Sequence, residues 1–261
     1  MLELYHSVNS VCAQKVRVVL AEKGLDYREH LMTLRGDQFS PEYMKLNPAA
    51  VVPTLIHDGR PVIESSVILY YLDEVFPQRA LMPADPHLRA RVRQFNKLID
   101  EYVHNSCTIL TFATAFRPWF AGLTGAEIEA RLAKSPSKKR TEYKRDVALN
   151  GLESKFAREA LEHHLTLLKK MDEALADGPW LAGAAFSLAD AAVIPYILRL
   201  DLLKLEKLLN ARIKAWYARM RERPSVRKEM LERMTPQDRA PFDKLEPDPW
   251  LKVKTLLEEV A

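Results

Sequence analysis

The chain has 261 residues, 48% of them hydrophobic and 28% charged, an ordinary globular composition with room for one large domain or two smaller ones. Its 39 basic and 35 acidic residues leave a net charge of +4, dispersed except for a cluster between Lys134 and Arg145; that balance suits small anions and lacks the basic stripe of a nucleic-acid binder. Cys12 and Cys107 are the only cysteines and have no zinc-site spacing, no run of about 18 apolar residues occurs, and Met1 to Tyr5 carries no basic leader, so a soluble, cytoplasmic chain without metal, membrane or nucleic-acid partners is expected.

Leu2 to Tyr5 reads as a short buried strand, and Ala13 to Lys23 sets Val16, Val19, Leu20 and Lys23 at helical spacing before Gly24. Leu25 to Leu34 supplies a second strand, parallel to the first through a right-handed crossover, and Pro41 to Leu46 a short helix that stops before Pro48. Val51-Val52-Pro53-Thr54-Leu55 then opens a hairpin. Proline has no N–H and can carry a cis bond, so the Val52 backbone is able to face a ligand instead of a sheet neighbour. Asp58-Gly59 suits a tight turn, and Pro61 to Ile63 returns to Glu64 and Ser65 at the start of a helix ending at Val75. A hydroxyl and unpaired N–H groups there favour an anionic or zwitterionic ligand, although a plain hairpin and capped helix use the same turn chemistry.

Phe76-Pro77 ends that helix, and Pro77, Pro83 and Pro86 make residues 79–86 a linker between an α/β domain, 1–78, and an all-α domain, 87–261. Helical periodicity covers His87 to Phe116, Arg145 to Ala176, Ser187 to Leu203 and Ala211 to Arg221, which predicts a helical bundle. Arg117 to Asp146 holds a short helix, Gly125 to Ala133, within loops that form either a lid or a solvated connector. Ser187 and Asp190 have capping-box spacing, so Asp190 is structural rather than catalytic. His163-His164 has no metal partner and reads as a solvated helix face.

The hairpin, Glu64-Ser65 and the Ser10-Val11-Cys12 segment together resemble the glutathione transferases. That resemblance implies a thioredoxin-like N-terminal domain, a C-terminal helical bundle, glutathione as co-substrate and a two-fold homodimer. Val52, before Pro53, falls on the residue whose backbone pairs with the cysteinyl unit of glutathione, and Glu64 and Ser65 fall on the pair holding its γ-glutamyl end. Lys45 and Asn47 are placed to approach the glycyl carboxylate, although a solvated lysine fits Lys45 equally well.

Conjugation needs a thiolate, and a free thiol of pKa around 8.5 is mostly protonated at neutral pH, so a hydrogen bond and a helix N-terminus must lower it. Ser10 falls on the usual thiolate-stabilising serine and Asn9 is a third donor, while Cys12 falls on a nearby cysteine position. Cys12 can instead form a mixed disulfide with glutathione, or simply pack the helix start. Tyr5, at the end of the first strand, reads as packing.

Tyr102, His104, Asn105, Cys107, Thr108, Thr111, Phe112, Phe116 and Trp119 mix aromatic and polar character along one helix and its exit, and are either the electrophile pocket or bundle core. More narrowly, Glu64-Ser65-Ser66-Val67-Ile68, Leu72-Asp73-Glu74-Val75-Phe76-Pro77, Pro83-Ala84-Asp85-Pro86 and Asp100-Glu101-Tyr102 are similar to the bacterial β-aryl etherases of lignin breakdown and to related fungal transferases. Those enzymes cleave a β-O-4 ether by glutathione attack on the β-carbon. Ser10-Val11-Cys12-Ala13 departs from their Asn-Ser pair, with Cys12 and Ala13 there. The expectation is a glutathione transferase for a hydrophobic, aromatic electrophile. The alternatives are Cys12-dependent glutathionyl transfer and a non-catalytic glutathione or aromatic-ligand binding protein.

Overall fold

The computed structural model describes residues 1–258. Its first part runs β1 (Leu2–His6), α1 (Val11–Lys23), β2 (Arg28–Leu31), α2 (Pro41–Leu46), β3 (Thr54–His57), β4 (Arg60–Val62) and α3 (Ser65–Val75). The four strands form one sheet in the order β2-β1-β3-β4, with β2 parallel to β1 and the other pairs antiparallel. On β1 the side chains alternate: Leu2, Leu4 and His6 are buried, and Leu4 lies opposite Leu55 of β3.

The second strand is shorter than the sequence predicts. Gly24 closes α1 at φ 66°, and the Leu25 N–H returns to the Leu20 carbonyl at 2.9 Å, so the cap consumes the first residues of the expected strand. Leu34, at φ 57°, has already left extended geometry.

After α3 the chain builds α4 (Pro86–Leu98), a π-helical turn (Ile99–Val103), α5 (His104–Ala113), α6 (Gly125–Leu132), α7 (Lys138–Asn150), α8 (Ala157–Ala176), α9 (Leu188–Leu202) and α10 (Ala211–Glu222). Then come α11 (Pro224–Val226) with a second π-helical turn (Arg227–Glu232), α12 (Pro236–Asp243) and α13 (Pro249–Glu258). Among the described residues no strand follows Val62, apart from an isolated bridge between Trp180 and Gly183. The expected mixed sheet domain and helical bundle are both present.

Three helical expectations need correction. The helix expected over residues 87–116 runs continuously from Pro86 to Ala113 but contains a π turn, and it stops three residues short of Phe116. The helix expected over 145–176 is two, divided at Gly151 (φ 57°), where a Cβ would lie 2.9 Å from the Arg117 guanidinium. Its first half begins earlier, because Ser137 caps α7 within the segment expected to be loop. Finally, His164 is no solvated residue: it is buried, its Nδ1 lies 2.7 Å from the Ala160 carbonyl, and burial lowers its pKa to about 4.

One hydrophobic core runs from Leu4, Val16, Leu20 and Leu69 through Leu110, Leu167 and Ile197 to Trp216. Helix α1 lies at its centre, packed on α3 and α9. Two cations on α1 are fully buried, and each has its partners. Lys15 donates to Ser66 Oγ at 2.9 Å and lies 3.5 Å from Asp100, while Arg17 donates to the carbonyls of Ser7, Val8 and Glu229.

Candidate active site

The loop between β1 and α1 is held from behind. Arg17 binds the Ser7 and Val8 carbonyls at 3.1 Å each, and Arg199 of α9 binds the Asn9 carbonyl at 2.6 Å. Arg199 also donates to Thr111 Oγ1 at 3.1 Å and lies 5.0 Å from the Phe242 ring centroid. With its carbonyls turned onto buried guanidinium groups, this loop is fixed without any strand pairing of its own. Neither arginine stands out in the sequence as part of the site, because their partners are backbone atoms brought close only by folding.

Ser10 is the N-cap of α1 and accepts from the Ala13 N–H at 3.3 Å. An accepting hydroxyl keeps its own proton, so Ser10 still has a donor to give. Asn9 is different: its Nδ2 donates to the Asp238 carbonyl of α12 at 3.0 Å. One of its two amide donors is thus used in anchoring the C-terminal segment, and the other remains.

Cys12 stands in the first turn of α1 with Sγ 3.4 Å from His104 Nδ1 and 3.9 Å from the Tyr196 hydroxyl; that hydroxyl is 3.3 Å from the same Nδ1. Burial pushes the Cys12 thiol up, but the His104 charge, a His104 hydrogen bond, the Lys15 ammonium and the Ser65 hydroxyl together bring it down to about 6. Cys107, one turn along α5 from His104, is held by burial at about 11 and stays a thiol.

Around the hairpin, the bond between Val52 and Pro53 is cis, and among the described residues nothing hydrogen-bonds to the Val52 backbone. Glu64 is exposed and adopts φ 67°, a conformation that costs a non-glycine residue roughly 1–3 kcal/mol. That geometry places Ser65 as the first residue of α3, buried and beside Cys12. Ser66 faces inward, bonded to Lys15 and at 2.8 Å to Asp100.

Two residues expected near glutathione separate here. Lys45 is exposed on α2. Asn47 is buried, its Nδ2 donating to the Val51 carbonyl and Thr54 Oγ1 and its Oδ1 accepting from the Ala49 N–H. Both of its amide donors are spent on the hairpin approach, so it shapes that loop and has no donor left for a carboxylate.

The expected pocket residues also divide. Phe112, Phe116 and Trp119 form one cluster, Phe116 and Trp119 stacked at 4.0 Å and Phe112 at 5.3 Å from Phe116, with Lys144 of α7 4.3 Å from the Phe112 centroid. Thr108 bonds the His104 carbonyl at 3.1 Å, and Asn105 accepts from Tyr143 of α7 at 3.4 Å. Tyr102 does not join them. It lies beside His163 and lines a separate groove of about 480 Å³ with Arg91, Leu98 and Lys170; two residues from His104 on the same helix, it points to the opposite side. Among the described residues no group of His, Cys, Asp and Glu could hold a metal, and no helix is long and apolar enough to cross a membrane.

Comparison with known proteins agrees with this geometry. Residues 9–75 match the glutathione S-transferase N-terminal domain and residues 146–219 the C-terminal domain. Protein LigF of Sphingobium sp. strain SYK-6 is 29% identical over 248 residues, covering 91% of this chain and 95% of LigF. The crystal structure of beta-etherase LigF superposes with a TM-score of 0.78 at 27% identity, over 88% of this chain and 99% of that one. Glutathione S-transferase Z1 of Arabidopsis thaliana is 48% identical over 92 residues, which is 34% of this chain and 41% of that protein. With both domains matched and the sheet, the bundle and the loop before α1 in place, the chain belongs to the glutathione S-transferase family and is a glutathione transferase.

Proposed function

We propose that this transferase activates the glutathione thiol for attack on a hydrophobic aromatic electrophile, with β-O-4 aryl ether cleavage as the reaction. The carrying observation is that Ser10 and Cys12 begin α1, while Ser65, one of the groups that lower the Cys12 thiol, begins α3. Two positive dipole ends favour a peptide that carries carboxylates and a thiolate. In this reading the Ser10 hydroxyl donates to the glutathione sulfur. The Val52 backbone, presented by Pro53, pairs with the cysteinyl unit, and Glu64 and Ser65 take the γ-glutamyl ammonium and carboxylate. Lys45 is free to meet the glycyl carboxylate.

The electrophile would lie along α5, with Phe112, Phe116 and Trp119 as its aromatic wall. Thr108 and Asn105 are the polar groups beside it. The similarity to LigF, whose structure is described as a beta-etherase, supports the ether as substrate class. The same reading takes residues 1–78 as the glutathione domain, 79–86 as linker and 87–261 as the substrate domain, assembled into a homodimer in the cytoplasm.

Incubation with glutathione and a β-O-4 aryl ether ketone tests this directly. Chromatography should show a released phenol and a glutathione conjugate in equal amounts, with Ser10→Ala slower at neutral pH and partly recovering as pH rises. No phenol release above the buffer rate would reject the ether as substrate. A second reading, glutathionyl transfer through Cys12, is favoured by one specific contact, the His104 imidazole against the Cys12 sulfur.

A further inference from the structure

The Cys12 reading leaves open what ionises the thiol and where the proton goes. Cys12 is faced from every side by a polar or titratable group: Lys15 on α1, Ser65 on α3, His104 on α5 and Tyr196 on α9. Lys15 is already engaged with Ser66 and Asp100, and Ser65 is a neutral hydroxyl. Tyr196 is fully buried and held neutral, its pKa raised by burial and by the neighbouring sulfurs, so it can donate a hydrogen bond but carries no charge. Arg199 is spent on Thr111 and the Asn9 carbonyl. Among these neighbours, His104 is the one group that combines a titratable ring, direct contact with the sulfur and no acidic partner.

We infer that His104, contributed by the helical half of the molecule, is the acid–base residue that holds Cys12 as a thiolate and carries the proton in glutathionyl transfer, with Tyr196 fixing its ring. This rests on the Cys12 reading above, and the substrate class is a glutathionyl mixed disulfide of a small thiol. The Cys12 thiolate attacks the glutathione sulfur of GS–SR, the Cys12–SG bond forms, and the S–S bond to R breaks with its electron pair leaving on RS. His104 gives its proton to that leaving thiolate. An incoming glutathione then passes its proton to His104, attacks the glutathione sulfur of the mixed disulfide, and leaves as glutathione disulfide with the Cys12 thiolate restored. The sum is GSSR plus GSH giving GSSG plus RSH.

The Tyr196 contact has a separate role. The Tyr196 hydroxyl, 3.3 Å from Nδ1 and 3.9 Å from Sγ, accepts from the protonated Nδ1 and donates to the Cys12 sulfur, which holds the ring's orientation toward that sulfur. Nothing in the sequence alone links positions 12, 104 and 196. Their meeting depends on α1, α5 and α9 packing together.

The test reads the rate of Cys12 alkylation by iodoacetamide against pH, located by peptide mass spectrometry so that buried Cys107 is distinguished. In the unaltered protein the midpoint should fall at about 6. His104→Gln keeps the ring's polar shape without its charge, so burial should dominate and the midpoint should rise by at least about one unit, leaving roughly a tenth of the thiolate at acid pH. Tyr196→Phe should move it less. Turnover of a hydroxyethyl glutathionyl disulfide by His104→Gln should fall roughly tenfold at neutral pH and recover as pH rises, with KM little changed.

An unshifted midpoint in folded His104→Gln would overturn the inference. So would an ordinary thiol midpoint in the unaltered protein, which needs no variant to fold and is checked independently by the ultraviolet absorbance of the thiolate. Alkylation requires no electrophile other than the reagent, so failure of ether cleavage leaves this result standing. A shifted midpoint without any disulfide turnover would reject the proton-carrying role and the Cys12 transfer reading together.

Discussion

Replacing Asp190 with alanine should be among the most damaging single changes in this protein, although the residue touches no candidate ligand group. Its carboxylate is fully buried and accepts four hydrogen bonds: Oδ1 from the Leu181 N–H at 3.0 Å and Trp216 Nε1 at 2.8 Å, Oδ2 from the Ser187 N–H and Ser187 Oγ at 3.0 Å each. The Ser187 hydroxyl can rotate elsewhere, but two backbone N–H groups and the indole N–H would be left buried without an acceptor. Each orphan costs about 1–3 kcal/mol, so the loss should be roughly 4 kcal/mol after allowing for relief of the buried charge. That is a large share of the 5–15 kcal/mol typical of a folded protein.

The carboxylate's two oxygens give the prediction an internal order. Asp190→Asn, with its amide oxygen at the Oδ1 position, keeps the Leu181 and Trp216 bonds, can donate to Ser187 Oγ and loses the bond from the Ser187 N–H, so it should cost about half as much or less. Trp216→Phe removes one bond and little volume and should cost least on the polar side, with some packing loss added. Urea unfolding followed by circular dichroism checks the series through the midpoints at constant slope. A loss below about 1 kcal/mol for Asp190→Ala, or Asn costing as much as Ala, would refute the account of four specific bonds joining α9, α10 and the Trp180–Gly183 bridge.

Acid should destabilise the protein through its buried histidines. His164 is lowered to about 4 by burial, and His6 also to about 4 by burial and the Arg17 charge, so between roughly pH 6.5 and 4 the unfolded chain binds protons that the folded one does not. Stability therefore falls as pH falls through that window, by roughly 3 kcal/mol for His164 alone at pH 4, and urea midpoints flat across it would contradict the assignment. For the glutathione site, the Glu64→Ala, Ser65→Ala double variant should weaken glutathione binding by about 2–4 kcal/mol in calorimetry. Unchanged affinity in a folded double variant would remove both residues from the site.

The order of strands and helices up to Val75 was legible because each signal is local. Gly24 ends α1, Asp58-Gly59 turns the hairpin and Pro53 breaks the ladder, all through backbone restrictions acting within a few residues. The capping box at Ser187 and Asp190 was legible for the same reason. The π turn at Ile99–Val103 was not, since periodicity over a short window hardly distinguishes one inserted residue from a continuous helix. Likewise, Asn47 looked available until both donors of its amide were found bonded within the Val51 loop, and one donor of Asn9 is bonded to Asp238. A sequence identifies which residues can donate or accept a hydrogen bond; how much of that capacity remains unspent depends on distant elements. The triangle of Cys12, His104 and Tyr196 joins three helices whose side chains interact only after a common core has closed around them, so it was tertiary packing that turned an ordinary cysteine into an acidic thiol.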